Sequence, residues 1–195
     1  MQLNGRATQL EGGKNLWDVI EDANRFRSFL RVDQSQGSHL LEAFKSNSSL
    51  ADSWQPVDLV LSLGKGEKDK PIADFMSGFV SVAISGKALG VLTPSLLDQA
   101  ECLPLNTDAG TYFALNVTAV NCLDQGHSTL KLFSNSQRIM RVEKYAFYWE
   151  KLNGIHIFRL PELGISRLFV SDTFKQAVEE NSLTGLLFYP VPLSD

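Results

Sequence analysis

From Leu16 onward, apolar residues recur at intervals of three and four: Leu16, Trp17, Val19, Ile20, Ala23, Phe26, Phe29 and Leu30. That spacing predicts a helix with one broad apolar face. Asn15 would cap it, and Glu21–Arg25 would pair on the polar side. A second, shorter helix is predicted over His39–Phe44, and the polar, glycine-containing residues 1–13 read as a frayed start. After the turn-rich SNSSLADS (46–53) the period changes from helical to alternating. In WQPVDLVLSL (54–63), Val57, Leu59 and Leu61 alternate with Asp58, Val60 and Ser62, the signature of a strand. GKGEKDKP (64–71) follows as an exposed, charged loop.

The second half reads mainly as strands. FVSVAI (79–84) is a short strand, Ser85 a helix cap, Thr93–Pro94 the restart of a helix, and AECLPL (100–105) a further strand. TYFALNVTAVNCLD (111–124) is expected to be a long, central strand. LKLF and MRVEKYAFYW (140–149) follow as strands. In the latter, simple alternation puts Val142, Lys144, Ala146 and Tyr148 on one side and Tyr145, Phe147 and Trp149 on the other. GIHIFRLPELGISRLFVSDTFKQAVEENSLTGLLFYPV (154–191) reads as strand, loop, strand, short helix, strand. Its later part echoes residues 80–105, with Ser85 and Ser171 each opening a helix after a strand. A duplicated β-α-β element and independent local likeness both remain open. The expected fold class is α+β: a mixed or mainly antiparallel sheet with short packing helices and two β-α-β-like elements. Residues 1–50 form an N-terminal helical segment and 51–195 an α+β domain, together one continuous unit.

Composition narrows the function classes. The chain has 195 residues, 44% hydrophobic and 21% charged, enough for one sizeable core and unlike a disordered segment. Net charge is -4, and the acidic excess lies in residues 51–110, with eight acidic against four basic side chains. No basic field for nucleic acid is present. No apolar run is long enough to span a membrane, and the start does not read as a signal peptide. Cys102 and Cys122 read as buried thiols, and the cytoplasm is the expected location.

Candidate chemistry is sparse. The three histidines, His39, His127 and His156, stand at no ligand spacing. His127 on a turn and His156 in GIHIFR are the candidates for a general base or a small-ligand site. GKGEKDK lacks the phosphate-loop spacing, and CxxC, HExxH, GxSxG and dinucleotide fingerprints are missing. The aromatic inventory is rich by contrast, which favours binding over catalysis. Trp17, Trp54 and Trp149, with loop residues Lys65, Glu67, Lys68 and Asp69, are the candidate partner contacts.

Four stretches then combine: KPIADFMSG (70–78), TYFALNVTAVNCLD (111–124), HIFRLPEL (156–163) and LFVSDTFKQAVEENSLTGLLFYPV (168–191). Together they resemble the Imm11 immunity-protein family over roughly residues 54–191, most strongly after 111. The resemblance implies a small α/β-containing cytoplasmic protein of bacterial polymorphic-toxin systems that binds and neutralises a cognate toxin. It implies no catalytic residues and no cofactor. Its polar motif positions are Asn116, Asp124, Arg159 and Ser171, expected to act structurally. The expected function is stoichiometric inhibition by steric occlusion, with a protein toxin as partner and neither nucleic acid nor membrane. The alternatives are an enzyme or ligand-binding protein using His127 or His156, and a non-catalytic structural or homo-oligomeric protein.

Overall fold

The computed structural model describes residues 15–194 other than Glu67, Leu97 and Ser166. The frayed start expected for 1–13 lies outside them. In chain order the elements are β1 (Leu16–Glu21), β2 (Phe29–Arg31), α1 (Gly37–Lys45), β3 (Val57–Leu61), β4 (Phe75–Met76) and β5 (Ala83–Ser85). Next come α2 (Gly86–Leu96), β6 (Ala100–Thr107), β7 (Tyr112–Val117), β8 (Thr129–Leu132) and β9 (Ile139–Lys144). The chain closes with β10 (Ile157–Phe158), β11 (Leu168–Ser171), α3 (Asp172–Glu180) and β12 (Leu186–Pro190).

The expected α+β class is the one observed. Among the described residues the strands form a six-stranded mixed sheet in the order β2-β3-β6-β7-β5-β4. A four-stranded sheet runs β10-β11-β1-β12, and β8-β9 is a separate hairpin. Among the named strands of the described residues, β3 and β6 pair in parallel and the other pairs are antiparallel.

Three side-chain clusters fill the molecule. Between the two sheets lie Val19, Ile157 and Val170 from one sheet, Ile84 and Leu115 from the other, and Leu92, Phe174 and Val178 from α2 and α3. On the far face of the six-stranded sheet, Leu40 and Phe44 of α1 cover Phe29, Leu59, Leu103 and Ala114. On the far face of the four-stranded sheet, Phe158 and Phe169 pack with Tyr145, Phe147 and Val142. Each fully buried leucine or phenylalanine here contributes about 1.5–3 kcal/mol.

The helix expected from Asn15 to Leu30 is not formed: Leu16–Glu21 is β1, and Phe29–Arg31 is β2. The cause is double-sided burial. Leu16 enters the outer cluster while Val19 enters the one between the sheets, with Trp17 packed against it. A strand covered on both faces loses its two-residue alternation and mimics helical spacing. The expected restart at Thr93–Pro94 is also absent, because α2 runs unbroken through Pro94. Thr93 Oγ1 instead donates to the Leu89 carbonyl at 2.6 Å. The long strand expected over 111–124 ends at Val117, and only isolated bridges continue it, Ala119 to Arg159 and Leu123 to Phe147. In the 140–149 segment the alternation changes phase after Lys144, so Val142, Tyr145 and Phe147 all enter one cluster.

The internal echo has a structural counterpart. In β5-α2-β6 the two strands flank β7, and in β11-α3-β12 they flank β1. Each flanked strand runs antiparallel to both neighbours, so both units are split β-α-β elements with parallel outer strands. Ser85 Oγ accepts from the Ala88 amide at 3.1 Å and Ser171 Oγ from the Phe174 amide at 3.3 Å, so each serine caps its helix. Asp74 ties the units together. It accepts from Ser85 Oγ at 2.9 Å and from the Thr184 amide at 3.0 Å, with Lys87 3.6 Å away.

Gly185 makes this junction possible. Its φ is +103°, and a Cβ there would stand 2.2 Å from the Phe75 carbonyl oxygen. Only glycine permits both the conformation and the approach. Among the described residues no helix is long and apolar enough to cross a membrane.

Candidate partner-binding groove

A groove of about 930 Å³ lies on the outer side of the third cluster. One wall is the C-terminal end of α1 and the loop after it, from Leu41 to Asn47. The facing wall is the β8-β9 hairpin, through Phe133 and Arg138–Val142. Ala119, Arg159, residues 161–165 and Arg167 also line it. The hairpin packs little of itself inward: Phe133 is 44% and Met140 40% exposed.

Arg159 fixes the geometry. It is only 3% exposed, and burial lowers its pKa. Its Nε donates to the Val117 carbonyl at 2.8 Å, and its Nη2 donates to the Phe44 carbonyl at 3.0 Å and to Asn47 Oδ1 at 3.3 Å. One side chain thus joins the end of β7, the end of α1 and the strand β10. Phe44 lies in the last turn of α1, where exposed carbonyls and the helix dipole favour a cation. Asn47 adopts the left-handed conformation (φ 57°) just beyond the helix, and its Oδ1 also accepts from the Ala119 amide at 2.6 Å. Around the groove, Lys45 pairs with Glu42 at 2.8 Å, Arg141 with Glu143, and Arg167 with Asp18. Arg138 lies over the Phe133 ring, 5.9 Å from its centroid. Glu162 is the one carboxylate in the lining, and it accepts from Gln125 at 3.3 Å.

Of the residues singled out from sequence, Arg159 alone lines this groove. Trp17, Trp54 and Trp149 are half-buried, each against a different cluster, and are not brought together. Trp17 Nε1 donates to Asp172 at 2.7 Å beneath the Lys175 ammonium, 4.8 Å from the ring centroid. Trp54 Nε1 donates to the Pro104 carbonyl at 2.8 Å. Lys65, Lys68 and Asp69 are exposed on their loop, and Glu67 lies outside the described residues.

The remaining polar motif positions have structural partners. Asn116 Nδ2 donates to Glu101 at 2.8 Å and to the Ser48 carbonyl at 3.1 Å. Burial pulls the Glu101 pKa upward, but bonds from Ser49, the Leu50 amide and Asn116 outweigh it and leave the value lowered. Asp124 accepts from the Gly126 and His127 amides, closing the turn before β8.

Neither histidine forms a reactive constellation. His127 Nδ1 meets Asp124 at 2.8 Å, but its side chain is 81% exposed on a turn. His156 Nδ1 meets Ser171 Oγ at 2.9 Å, and that hydroxyl also caps α3. Cys122 is buried, its thiol pushed up to about 12 by burial and by the charge of Glu162. Cys102, expected to be buried, is half-exposed, and burial still raises its thiol. Neither is an activated nucleophile at neutral pH. Among the described residues no three His, Cys, Asp or Glu side chains gather as metal ligands.

The fold and site therefore define an α+β protein with a charged, partly apolar groove whose lining holds no histidine or cysteine. Residues 104–192, a little under half of the chain, match the model of the immunity protein family Imm11. That segment is narrower than the 54–191 expected, and KPIADFMSG falls outside it. No curated protein is significantly similar to the chain. The matched segment supplies the hairpin wall and the Arg159–Arg167 part of the groove, while α1 supplies the rest. Sequence reading missed Phe133, Arg138, Met140 and Arg141 as site residues. Phe133 and Arg138 lie in the connection between β8 and β9, and Met140 and Arg141 lie on β9.

Proposed function

We propose that this protein is an immunity protein that binds a cognate bacterial toxin and neutralises it by covering the toxin's active region. The observation that carries this is the family match over residues 104–192, because that segment builds most of the groove. The groove is the proposed contact face. It joins exposed apolar side chains to guanidinium groups, the mixture that anchors protein interfaces. The three tryptophans are less suited, since each already packs on a separate cluster. Non-catalytic action is supported by thiols with raised pKa and by histidines outside the groove. The cytoplasm is the proposed place of action, where two unpaired cysteines persist as thiols.

The test is affinity capture of the tagged chain from its native cells, identification of a one-to-one partner, and co-expression of the two. Protection of growth against that partner is the expected result. Recovery of the chain with only copies of itself, while the toxin is shown to be expressed, would favour the homo-oligomeric alternative instead.

A further inference from the structure

The groove carries its own indication of what fills it. Five cationic side chains line it, Lys45, Arg138, Arg141, Arg159 and Arg167, against the single carboxylate of Glu162. Three of these cations are held by carboxylates outside the lining: Lys45 by Glu42, Arg141 by Glu143 and Arg167 by Asp18. Two are not so held. Arg138 rests on the Phe133 ring, and Arg159 donates to three neutral oxygens. Among the described residues neither faces a carboxylate. A guanidinium buried among neutral acceptors keeps a desolvation cost that an incoming anion offsets.

We propose that the groove seats an acidic segment of the partner protein. Its carboxylates approach Arg138 and Arg159, and its apolar side chains rest on Phe133, Met140 and Leu163. This rests on the partner-binding role proposed above and names the chemistry of the partner's contacting segment. A peptide fits better than a nucleic acid. Exposed Phe133 and Met140, with Leu163 and Ile165, make much of the lining apolar, and a phosphate chain gains little from such a surface.

The experiment titrates the full chain with a short fluorescein-labelled peptide of Glu, Asp, Leu and Phe. Its counterpart with Lys at every acidic position and a single-stranded DNA oligonucleotide are run beside it. Binding of the acidic peptide alone is expected, weakening about tenfold in Arg138→Glu/Arg141→Glu. Glu162→Gln is expected to tighten it about twofold, by removing the carboxylate of the lining. Both variants alter exposed or half-exposed side chains, and circular dichroism checks their folding. Binding of the lysine peptide or the oligonucleotide instead, no binding of the acidic peptide, or indifference to both variants would overturn the proposal. The toxin-protection assay separates the two claims. If the acidic peptide binds as described but no toxin is neutralised, the immunity role fails and the groove chemistry stands. If protection survives Arg138→Glu/Arg141→Glu, the toxin docks elsewhere and the groove proposal fails.

Discussion

Leu115 and Phe133 are large apolar side chains only 18 positions apart, yet they are used in opposite ways. Leu115 is 0% exposed between the two sheets, where β7 meets α2 and α3. Phe133 is 44% exposed on the hairpin, beside Arg138 and the groove. The interior between the sheets is closed by two capped helices, a carboxylate junction at Asp74 and close backbone contacts. The hairpin has none of these; its strand β8 buries no residue completely. Apolar surface that serves stability in one place is left available for contact in the other.

Substitutions should therefore separate stability from binding. The largest effect is expected at Gly185→Ala, where the new Cβ meets the Phe75 carbonyl and the positive φ is strained as well. A loss of about 3 kcal/mol or more is expected in urea unfolding. Leu115→Ala should cost about 2–5 kcal/mol by the same measurement. Arg159→Met should cost about 1–3 kcal/mol, since the Phe44 and Val117 carbonyls lose their donor. The twin caps sharpen the comparison within the interior: Ser85→Ala and Ser171→Ala should each cost about 1 kcal/mol. If one were neutral, the likeness of the two split units would be only geometric. Smallest in stability is Phe133→Ser, expected to change unfolding by less than about 0.5 kcal/mol while weakening partner binding.

The pH dependence of stability has a signed expectation. The folded-state pKa of Glu101 is lowered from its ordinary 4.5, so its contribution is full above that value. It is lost as pH falls through the folded value. Asp18, raised from 3.8 chiefly by burial despite Arg167, acts in the opposite sense: its contribution is lost as pH rises through its folded value. Melting curves of the wild type and Glu101→Gln should therefore differ most above pH 4.5, and the gap should narrow below it.

Elements covered on one face, or built on a short local rule, were legible in the sequence. The alternation in β3, the helix α1, the serine caps of α2 and α3, and the closing strand-helix-strand run all follow from periodicity and capping chemistry. β1 was not legible, because it lies between two cores and buries residues on both faces. Nor could the sequence show that β1 inserts between β11 and β12, since that pairing joins the two ends of the described chain. The α2 restart failed because the helix runs on through Pro94 to Leu96 and gives up one amide-to-carbonyl bond there. Of the groove lining, Arg159 alone was singled out in the sequence, and as a structural residue. Its importance comes from reaching the end of α1, 115 positions away, which no local pattern encodes. The hairpin was legible only as two strands, because exposure is a tertiary property.

The most direct test of the account is hydrogen–deuterium exchange of the chain, free and in one-to-one complex with its captured toxin. The account predicts that exchange slows in β8–β9 and in residues 161–167, while the 64–70 loop is unchanged. Slowing at the loop or around Trp17 and Trp54, with the hairpin unaffected, would contradict it.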